Sequence, residues 1–404
     1  MNPVVPAGTP QRNGDRTGEH PYQAADSVLA ARVAARFPRL RYMGSKHRLL
    51  PRLAEVFADI FADARGVRGV PGARGVRDQR DVRDGPAQRD GEAGRNGSGK
   101  TALDAFSGSG VVSYLLKSMG CAVTSNDFLN FPSVIARAAV VNHDQALTPE
   151  DVEAITGPAA DDRDFIQSTF DGLYFTGEDR AFLDAAWSHI DRMRGAKRDL
   201  AIAALVLSAA RKQPRGVFTV TGLRYDDGRP DLRLPLRDHF RRRAAEYSRA
   251  VFDSGQPCAA LTGEVFDIPS GGHDVVYLDP PYAPPRDDNC YVKRYHFLEG
   301  LSVYWRGQEI MENTKTKKLA KKPTPFSSKK TVVDALARTF DTFSESVIVL
   351  SYSSNAVPDA DTVKGLLSEV KEDVRMISVD HTYSFGTHPA AARRAAREFI
   401  FVGR

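Results

Sequence analysis

An acid, two prolines and a tyrosine stand directly after a short apolar run in the second half of the chain. The run VVYL, residues 275–278, is followed by DPPY, residues 279–282. A continuous run of β-branched and aromatic residues predicts a parallel strand that is buried on both faces. Ligands of open α/β sheets bind beyond the carboxyl ends of such strands. This junction therefore predicts an α/β fold with a site at residue 279.

The tetrapeptide suits a planar ring that carries an amino group. Proline has no N–H donor and a fixed φ, so the carbonyl of Pro280 is held rigidly as an acceptor. The Asp279 carboxylate is a second acceptor, and the Tyr282 ring offers a face for stacking. These three residues are the candidate catalytic residues. The alternative interpretation is a strand followed by an ordinary proline turn.

Composition excludes several classes of protein. The chain has 404 residues, of which 42% are hydrophobic and 26% charged, enough for one large domain with an insertion or for two domains. The three cysteines lie far apart without C-x-x-C spacing, so we expect neither a metal site nor a disulfide framework. No stretch approaches the length of a membrane span, and no signal-peptide core is present. We expect a cytoplasmic protein without a membrane partner.

Two tracts contain too few large apolar residues to offset the entropy of ordering. We expect a disordered tail over residues 1–38 and a disordered Gly/Arg-rich loop over residues 62–100. Residues 94–101, GRNGSGKT, match the P-loop pattern, but a strand-like run follows where a helix should open. That context favours an accidental match.

From residue 102 onward, strand-like runs alternate with helical patterns, which predicts a mostly parallel, Rossmann-like sheet. The last two runs, residues 374–379 and 398–402, are expected to add an antiparallel pair. Residues 145–255 have mainly helical periodicity and form an expected insertion. The remaining segments, 39–144 and 256–404, are the expected catalytic domain.

A glycine-rich turn and an acid form a second candidate site. Gly108 and Gly110 lie in DAFSGSG, residues 104–110, at a predicted strand-to-helix turn where a ligand can approach the backbone closely. Asp127 ends the next predicted strand about twenty residues later, the offset at which an acid accepts from both ribose hydroxyls of a nucleoside. This pattern indicates an adenosine-containing cofactor without saying which one.

A third element precedes the predicted sheet. RYMGSK, residues 41–46, opens an amphipathic helix whose apolar face carries Leu49, Leu50, Leu53 and Phe57. One interpretation is a helix start with Ser45 as its N-cap. Equally, Tyr42 and Lys46 suit the carboxylate tail of a cofactor that contains an amino acid.

In this order, RYMGSK, DAFSGSG, NDF (residues 126–128) and LDPPY resemble the Dam-like N6-adenine DNA methyltransferases, over most of residues 40–300. The resemblance implies a Rossmann-like methyltransferase sheet, S-adenosylmethionine as cofactor, and methyl transfer to N6 of a flipped adenine in duplex DNA. A cognate restriction endonuclease is a possible partner. The implied cofactor-binding residues are Tyr42, Lys46, Phe106, Ser107, Gly108, Gly110, Asp127, Phe128, Phe266 and Asp267.

The helical insertion carries RKQPRGVFTVTG, residues 211–222, which is similar to the target-recognition hairpin of that family. Gln213, Thr219 and Thr221 depart from the family's pattern, which indicates a different recognised sequence. Seven lysines fall in residues 315–330, a stretch without acids that we name the lysine tract. Phosphate contacts are expected from this tract and from Arg211, Lys212, Arg215, Lys293 and Arg294.

Other interpretations stay open at this point. Tyr291, Tyr295 and His296 could surround the flipped nucleotide or belong to the core. An RNA base methyltransferase would share the tetrapeptide and the cofactor loop, although RYMGSK and the hairpin favour DNA. Cytosine N4 would also fit the tetrapeptide's acceptors. A non-catalytic DNA-binding or cofactor-binding protein that retains the fold is the alternative from another class.

Overall fold

The computed structural model describes residues 32–66, 99–219, 228–283, 290–384 and 393–404. Seven strands in these segments form one sheet in the order β3-β2-β1-β4-β5-β7-β6. They are β1 Thr101–Asp104, β2 Ala122–Asp127, β3 Ala259–Thr262, β4 Val275–Leu278, β5 Val347–Ser353, β6 Val374–Ser384 and β7 Arg393–Gly403. Strands β1 to β5 are parallel, and β7 runs antiparallel to β5 and β6. The expected α/β fold, with its antiparallel C-terminal strand, is confirmed.

Besides the helical residues 32–35, the described segments contain eleven α-helices. They are α1 Leu50–Gly66, α2 Val111–Ser118, α3 Asn130–Ala136, α4 Pro149–Thr156, α5 Phe165–Thr169, α6 Gly177–Ile190, α7 Gly195–Arg211, α8 Leu236–Ala250, α9 Tyr291–Val303, α10 Val332–Thr342 and α11 Ala360–Ser368. None of them is long and apolar enough to cross a membrane.

Side-chain alternation along β4 divides the core into two layers. Tyr277 packs on the face covered by α1, where its ring lies 6.1 Å from that of Phe57. Val276 and Leu278 pack on the opposite face, in the cluster that includes Leu336 of α10. Burial of each such side chain contributes roughly 1.5–3 kcal/mol, so both helix layers are firmly attached to the sheet.

The strand order reverses between β1 and β4. From β1 the chain continues outward through β2 and β3, whereas β4 and β5 extend in the other direction. A crevice opens at such a switch point, beyond the carboxyl ends of the strands. Three acids meet this edge: Asp104 ends β1, Asp127 ends β2 and Asp279 follows β4.

Residues 145–255 contribute helices α4 to α8, and their described parts contain no strand. This segment contacts α9 through Phe218, whose N–H donates to the carbonyl of Arg294 at 3.1 Å. The Tyr174 hydroxyl lies 3.1 Å from the Phe218 carbonyl. The insertion thereby packs against α9, while its exact boundaries stay a prediction.

Two regions that the sequence predicted to be disordered contain residues with a defined structure. Ala34 and Phe37 are buried, and the Phe37 ring lies 4.7 Å from that of Tyr114. These two apolar side chains pack in the core, although most of the tail before them is polar. Helix α1 continues to Gly66, into the region expected to be a loop. Residues 1–31 and 67–98 lie outside the described segments. Most of the P-loop match does too, and its Thr101 begins a strand rather than a helix.

Candidate active site

An open cleft with an empty volume of about 520 Å³ lies at the carboxyl ends of β1, β2 and β4. The cleft is lined by Tyr42, Met43, Gly44, Ser45, Lys46, Asp104, Phe106, Ser107, Gly108, Ser109, Val111, Val112, Asp127, Phe128, Tyr277, Asp279, Pro281 and Tyr291. The structure therefore brings the tetrapeptide, the glycine turn and RYMGSK together.

The turn after β1 depends on glycine. Gly108 has a φ of +49°, and a Cβ atom there would lie 2.9 Å from the ring of Tyr42. Its N–H donates to Oδ2 of Asp127 at 2.9 Å. Gly110 lies at the N-cap position of α2 with a φ of +78°, outside the residues that line the cleft. The absence of a side chain at Gly108 thus brings the Tyr42 ring close to the backbone.

Asp127 holds the end of β2 against this turn. Its Oδ1 accepts from the backbone N–H of Leu129 at 3.0 Å, and the residue is 5% exposed. Burial raises the pKa of Asp127 to about 7, although the backbone donors, including Gly108, oppose the rise. The carboxyl is a rigid acceptor with a protonation state that changes near neutral pH.

Asp104 is a site residue that sequence reasoning missed. Its Oδ2 accepts from the Ser113 hydroxyl at 2.6 Å, but its Oδ1 has no hydrogen bond to any described residue. The Ser107 hydroxyl also lacks such a bond. Burial raises the pKa of Asp104 to about 7. Unsatisfied buried polar atoms beside a cleft indicate a polar ligand, and the acid that opens DAFSGSG was the available signal.

Lys46 and Asp279 form an ion pair of 2.8 Å in which Lys46 is 4% exposed and Asp279 is 18% exposed. The Tyr282 hydroxyl donates to the same carboxyl oxygen, Oδ1, at 3.0 Å. Both contacts fall on Oδ1, so Oδ2 has no hydrogen bond within the described residues. Burial raises the pKa of Asp279, and Lys46 and Tyr282 oppose that rise. The free oxygen is available to a donor from a substrate.

The Lys46 ammonium has three acceptors. Besides Asp279, these are the Gly44 carbonyl at 2.9 Å and the Tyr282 hydroxyl at 3.2 Å. Its three N–H groups are therefore occupied, and binding of a cofactor carboxylate would require exchange of one partner. That role of Lys46 stays a prediction. Lys46 and Tyr282 are 236 positions apart, so spacing alone could not show their contact.

The aromatic residues after the tetrapeptide divide into two groups. Tyr291 lines the cleft. Tyr295 is 1% exposed, stacks on Tyr42 at 4.9 Å and accepts from the Met43 N–H at 2.7 Å. His296 is fully buried and belongs to the core. Of the three, Tyr291 alone is placed to contact a ligand of this cleft.

Phe266 and Asp267 lie in a short 3₁₀ turn, outside the residues that line the cleft. The Phe266 ring stacks on Phe326 at 5.8 Å, and the Arg338 guanidinium lies 4.1 Å from the Phe266 ring centre. Phe326 in turn lies 5.2 Å from Phe106, which lines the cleft. Phe266 is thus one aromatic layer away, and its contact with a cofactor adenine stays a prediction. No sequence motif indicated the role of Phe326 beside this pocket.

Lys212 is not placed to bind DNA phosphate, which corrects the expectation for this residue. It is 8% exposed, pairs with Asp179 and donates to the Leu234 carbonyl at 2.9 Å. A buried ion pair inside the insertion satisfies its charge. Arg211 is half-buried, 3.9 Å from Asp231. The Arg215 side chain lies outside the described part.

Lys293 and Arg294 are half-buried in the first turn of α9, beside Tyr291. The lysine tract is attached nearby, because the Tyr174 hydroxyl donates to the Thr316 carbonyl at 2.7 Å. Five of its lysines are exposed: Lys315, Lys321, Lys322, Lys329 and Lys330. The tract also contains Phe326, which packs on Phe106. It therefore runs from the insertion to the part of the cleft that Phe106 lines.

The sheet order, the glycine turn with its acid, and the tetrapeptide at the switch point together define a Rossmann-like methyltransferase. The family of D12 class N6 adenine-specific DNA methyltransferases matches residues 92–347, and the chain belongs to it. The type II methyltransferase M2.HphI of Haemophilus parahaemolyticus is 26% identical over 301 residues, which are 70% of this chain and 85% of that protein.

Family membership confirms an adenine-specific DNA methyltransferase, an enzyme that uses a methyl donor and acts on DNA. It selects this function over the RNA base methyltransferase, the cytosine enzyme and the non-catalytic protein. In the described segments, no group of three or more His, Cys, Asp and Glu side chains is placed to hold a metal ion.

Proposed function

We propose that this enzyme transfers a methyl group from S-adenosylmethionine to N6 of an adenine flipped out of duplex DNA. One observation carries the proposal: Asp279 stands at the switch point with Oδ1 fixed by Lys46 and Tyr282, while Oδ2 has no partner among the described residues. A carboxylate fixed in this way is an oriented acceptor for an amine.

The residues of the cleft fit the proposed cofactor. Asp127 is an acceptor for ribose hydroxyls, and the unsatisfied Asp104 Oδ1 and Ser107 hydroxyl can bond to polar groups of the ligand. Gly108 leaves its backbone accessible. By family resemblance, Phe106, Phe128, Phe266 and Asp267 would complete the pocket. When bound, S-adenosylmethionine supplies a methyl group on a positively charged sulfur.

The adenine amine is a weak nucleophile because its lone pair is delocalised into the ring. Asp279 Oδ2 and the Pro280 carbonyl would accept its two N–H bonds and hold it in one orientation. Negative charge at Asp279 stabilises the positive charge that develops on N6 as the N–C bond forms. The raised pKa of Asp279 makes its carboxylate a better acceptor for the proton that N6 then loses.

A paired adenine inside a duplex cannot place its amine against the tetrapeptide, so the base must leave the stack. Unstacking costs a few kcal/mol, which aromatic contacts in the pocket offset in part. Tyr291 lines the cleft, and the Tyr282 ring stands edge-on to Tyr352 at 5.4 Å. The rings of Tyr291 and Tyr282 are the proposed contacts of the flipped base.

The insertion, residues 145–255, is the proposed target-recognition region. Arg211, Arg215, Lys293, Arg294 and the lysine tract would bind phosphates. The similarity to a type II methyltransferase supports a role in restriction–modification. A cognate endonuclease and a cytoplasmic location stay predictions.

The test is incubation of the purified protein with labelled S-adenosylmethionine and unmethylated duplex DNA, followed by nucleoside analysis. We expect label in N6-methyladenine. Asp279→Ala should reduce transfer by at least about 10³-fold, since an oriented electrostatic group is lost, while cofactor binding by calorimetry persists. Asp334→Ala is the matched control, because Asp334 is an exposed aspartate of α10.

Turnover by Asp279→Ala at the wild-type rate would refute the catalytic assignment. Label in a parallel reaction with structured RNA, but not in DNA, would refute the proposed substrate. Normal transfer without measurable binding of S-adenosylmethionine in the absence of DNA would show that the cleft forms only with DNA bound.

A further inference from the structure

Glu398 is a buried acid that the proposed chemistry does not use. Its side chain on β7 is 1% exposed, and neither carboxyl oxygen has a hydrogen bond to a described residue. Such a group is rare, because burial removes the hydrogen bonds of water without replacing them. Its position therefore calls for a reason.

The sheet places Glu398 on the same face as Tyr277, which stands two residues before Asp279. Glu398 lies opposite Ser353, the last residue of β5, and so stands near the carboxyl edge of the parallel strands. Alternation along β7 gives Glu398 the same face as Ile400, which packs in the core layer of Tyr277 and α1. Lys46 precedes α1, the helix that covers this face, and pairs with Asp279 at 2.8 Å.

The charges that act on Glu398 come from the active site. Lys46 attracts its ionised form, whereas Asp279 repels it. Burial is the largest effect and raises the pKa of Glu398 to about 7. Tyr277 and Tyr282 are the other titratable groups that interact with this carboxyl, and burial keeps both phenols neutral by raising their pKa values well above 10.0.

The strands on either side of β7 add no charge directly opposite Glu398. Its partner on β5 is Ser353 and its partner on β6 is Val379. Of the cations in the described segments, Lys46 is the one that acts on this carboxyl, and it already pairs with Asp279 at 2.8 Å. Two acids and one lysine form a coupled, mostly buried group.

We propose that Glu398 is a positioning residue: its charge acts through space on the Lys46–Asp279 pair, without a hydrogen bond to Lys46, and so sets how strongly Asp279 accepts from the adenine amine. This inference rests on the proposed function. With Glu398 protonated, the three side chains are neutral overall, whereas ionised Glu398 gives them one net negative charge. That charge strengthens Asp279 as an acceptor and stabilises positive charge on N6. Glu398 acts through Lys46 rather than by touching the substrate.

The test is the pH profile of kcat with DNA and S-adenosylmethionine both saturating, so that effects on cofactor binding are removed. For the wild-type enzyme we expect kcat to rise about tenfold between about pH 6 and about pH 8. Glu398→Gln keeps the shape of the side chain and should lose this rise, while its KM for the cofactor changes less than about twofold. Glu398→Met is a second uncharged variant, used if the first does not fold.

Asp184→Asn is the control for neutralising a buried acid, because Asp184 caps α5 inside the insertion and pairs with Tyr304. It should retain the wild-type pH profile. A rise that persists in Glu398→Gln would overturn the inference and leave the proposed function intact. Wild-type enzyme that transfers no methyl group to adenine at any pH would refute the proposed function, and this inference with it.

Discussion

Replacement of Lys46 by methionine tests the central ion pair most directly. Methionine keeps the apolar stem of lysine but leaves the Asp279 carboxylate without its cation. Removing one partner of a fully buried pair costs about 3–5 kcal/mol, because an uncompensated charge remains. Asp279 is still 18% exposed and still accepts from Tyr282, so we expect a loss of about 2–3 kcal/mol in the free energy of unfolding.

The sign of the pH dependence follows from the same contact. Lys46 lowers the pKa of Asp279, so its removal raises that pKa further. The cost of Lys46→Met should be greatest at alkaline pH, where Asp279 is ionised, and should shrink as pH falls and Asp279 takes up a proton. Urea unfolding at several pH values measures this change.

A double-mutant cycle separates the pair from its surroundings. Lys46→Met combined with Asp279→Asn removes both charges, so the double variant should be less destabilised than the sum of the single variants by about 1–2 kcal/mol. Lys364→Met, at an exposed position of α11, is the control and should change stability by less than about 0.5 kcal/mol. Additive single effects, with Lys46→Met costing no more than the control, would refute the reasoning.

Three further predictions follow from contacts of the cleft and of the insertion. Gly108→Ala should cost about 1–3 kcal/mol of stability and weaken cofactor binding, because its Cβ would meet the Tyr42 ring. A melting temperature and a cofactor affinity equal to those of the wild type, both measured by calorimetry, would contradict this prediction. Affinity for S-adenosylmethionine should rise with pH through about 7 as Asp127 ionises, and Asp127→Asn should abolish the rise; an unchanged binding profile would exclude Asp127 as the acceptor. Lys330→Ala should reduce the salt slope of DNA affinity by about 0.9 without loss of stability. Lys212→Ala should lower stability and leave the salt slope unchanged, because Lys212 pairs with Asp179. Equal salt slopes in the two variants would contradict the assignment of Lys330 to phosphate and of Lys212 to the interior.

Local patterns gave much of the fold correctly. The strand at residues 275–278 has the expected bounds, and the predicted apolar face of α1, including Leu53 and Phe57, is fully buried. Such patterns succeed because burial on a strand or a helix face repeats with a fixed period. Residues 32–38 and 62–66 were expected to be disordered, but Phe37 packs on Tyr114 and helix α1 continues to Gly66.

The site shows where sequence reasoning ends. The tetrapeptide, the glycine turn and Asp127 could be proposed as site residues because each belongs to one short segment with a recognisable order of residues, and the structure brings these segments to one cleft. The pairing of Lys46 with Asp279 was not, and Lys212 was assigned to DNA although it is buried against Asp179. A charged residue type shows that a partner is needed, but not which partner it has.

The sequence by itself determined the α/β class, the position of the site at the ends of β1, β2 and β4, and the family to which the chain belongs. Only the tertiary structure decided which distant side chains share that site: Lys46 on Asp279 Oδ1, Asp104 beside the cleft, and Glu398 on the sheet face behind them. The reason is physical. Periodicity and turn chemistry act over a few residues, whereas the energy of a buried charge depends on groups that folding brings together from opposite ends of the chain.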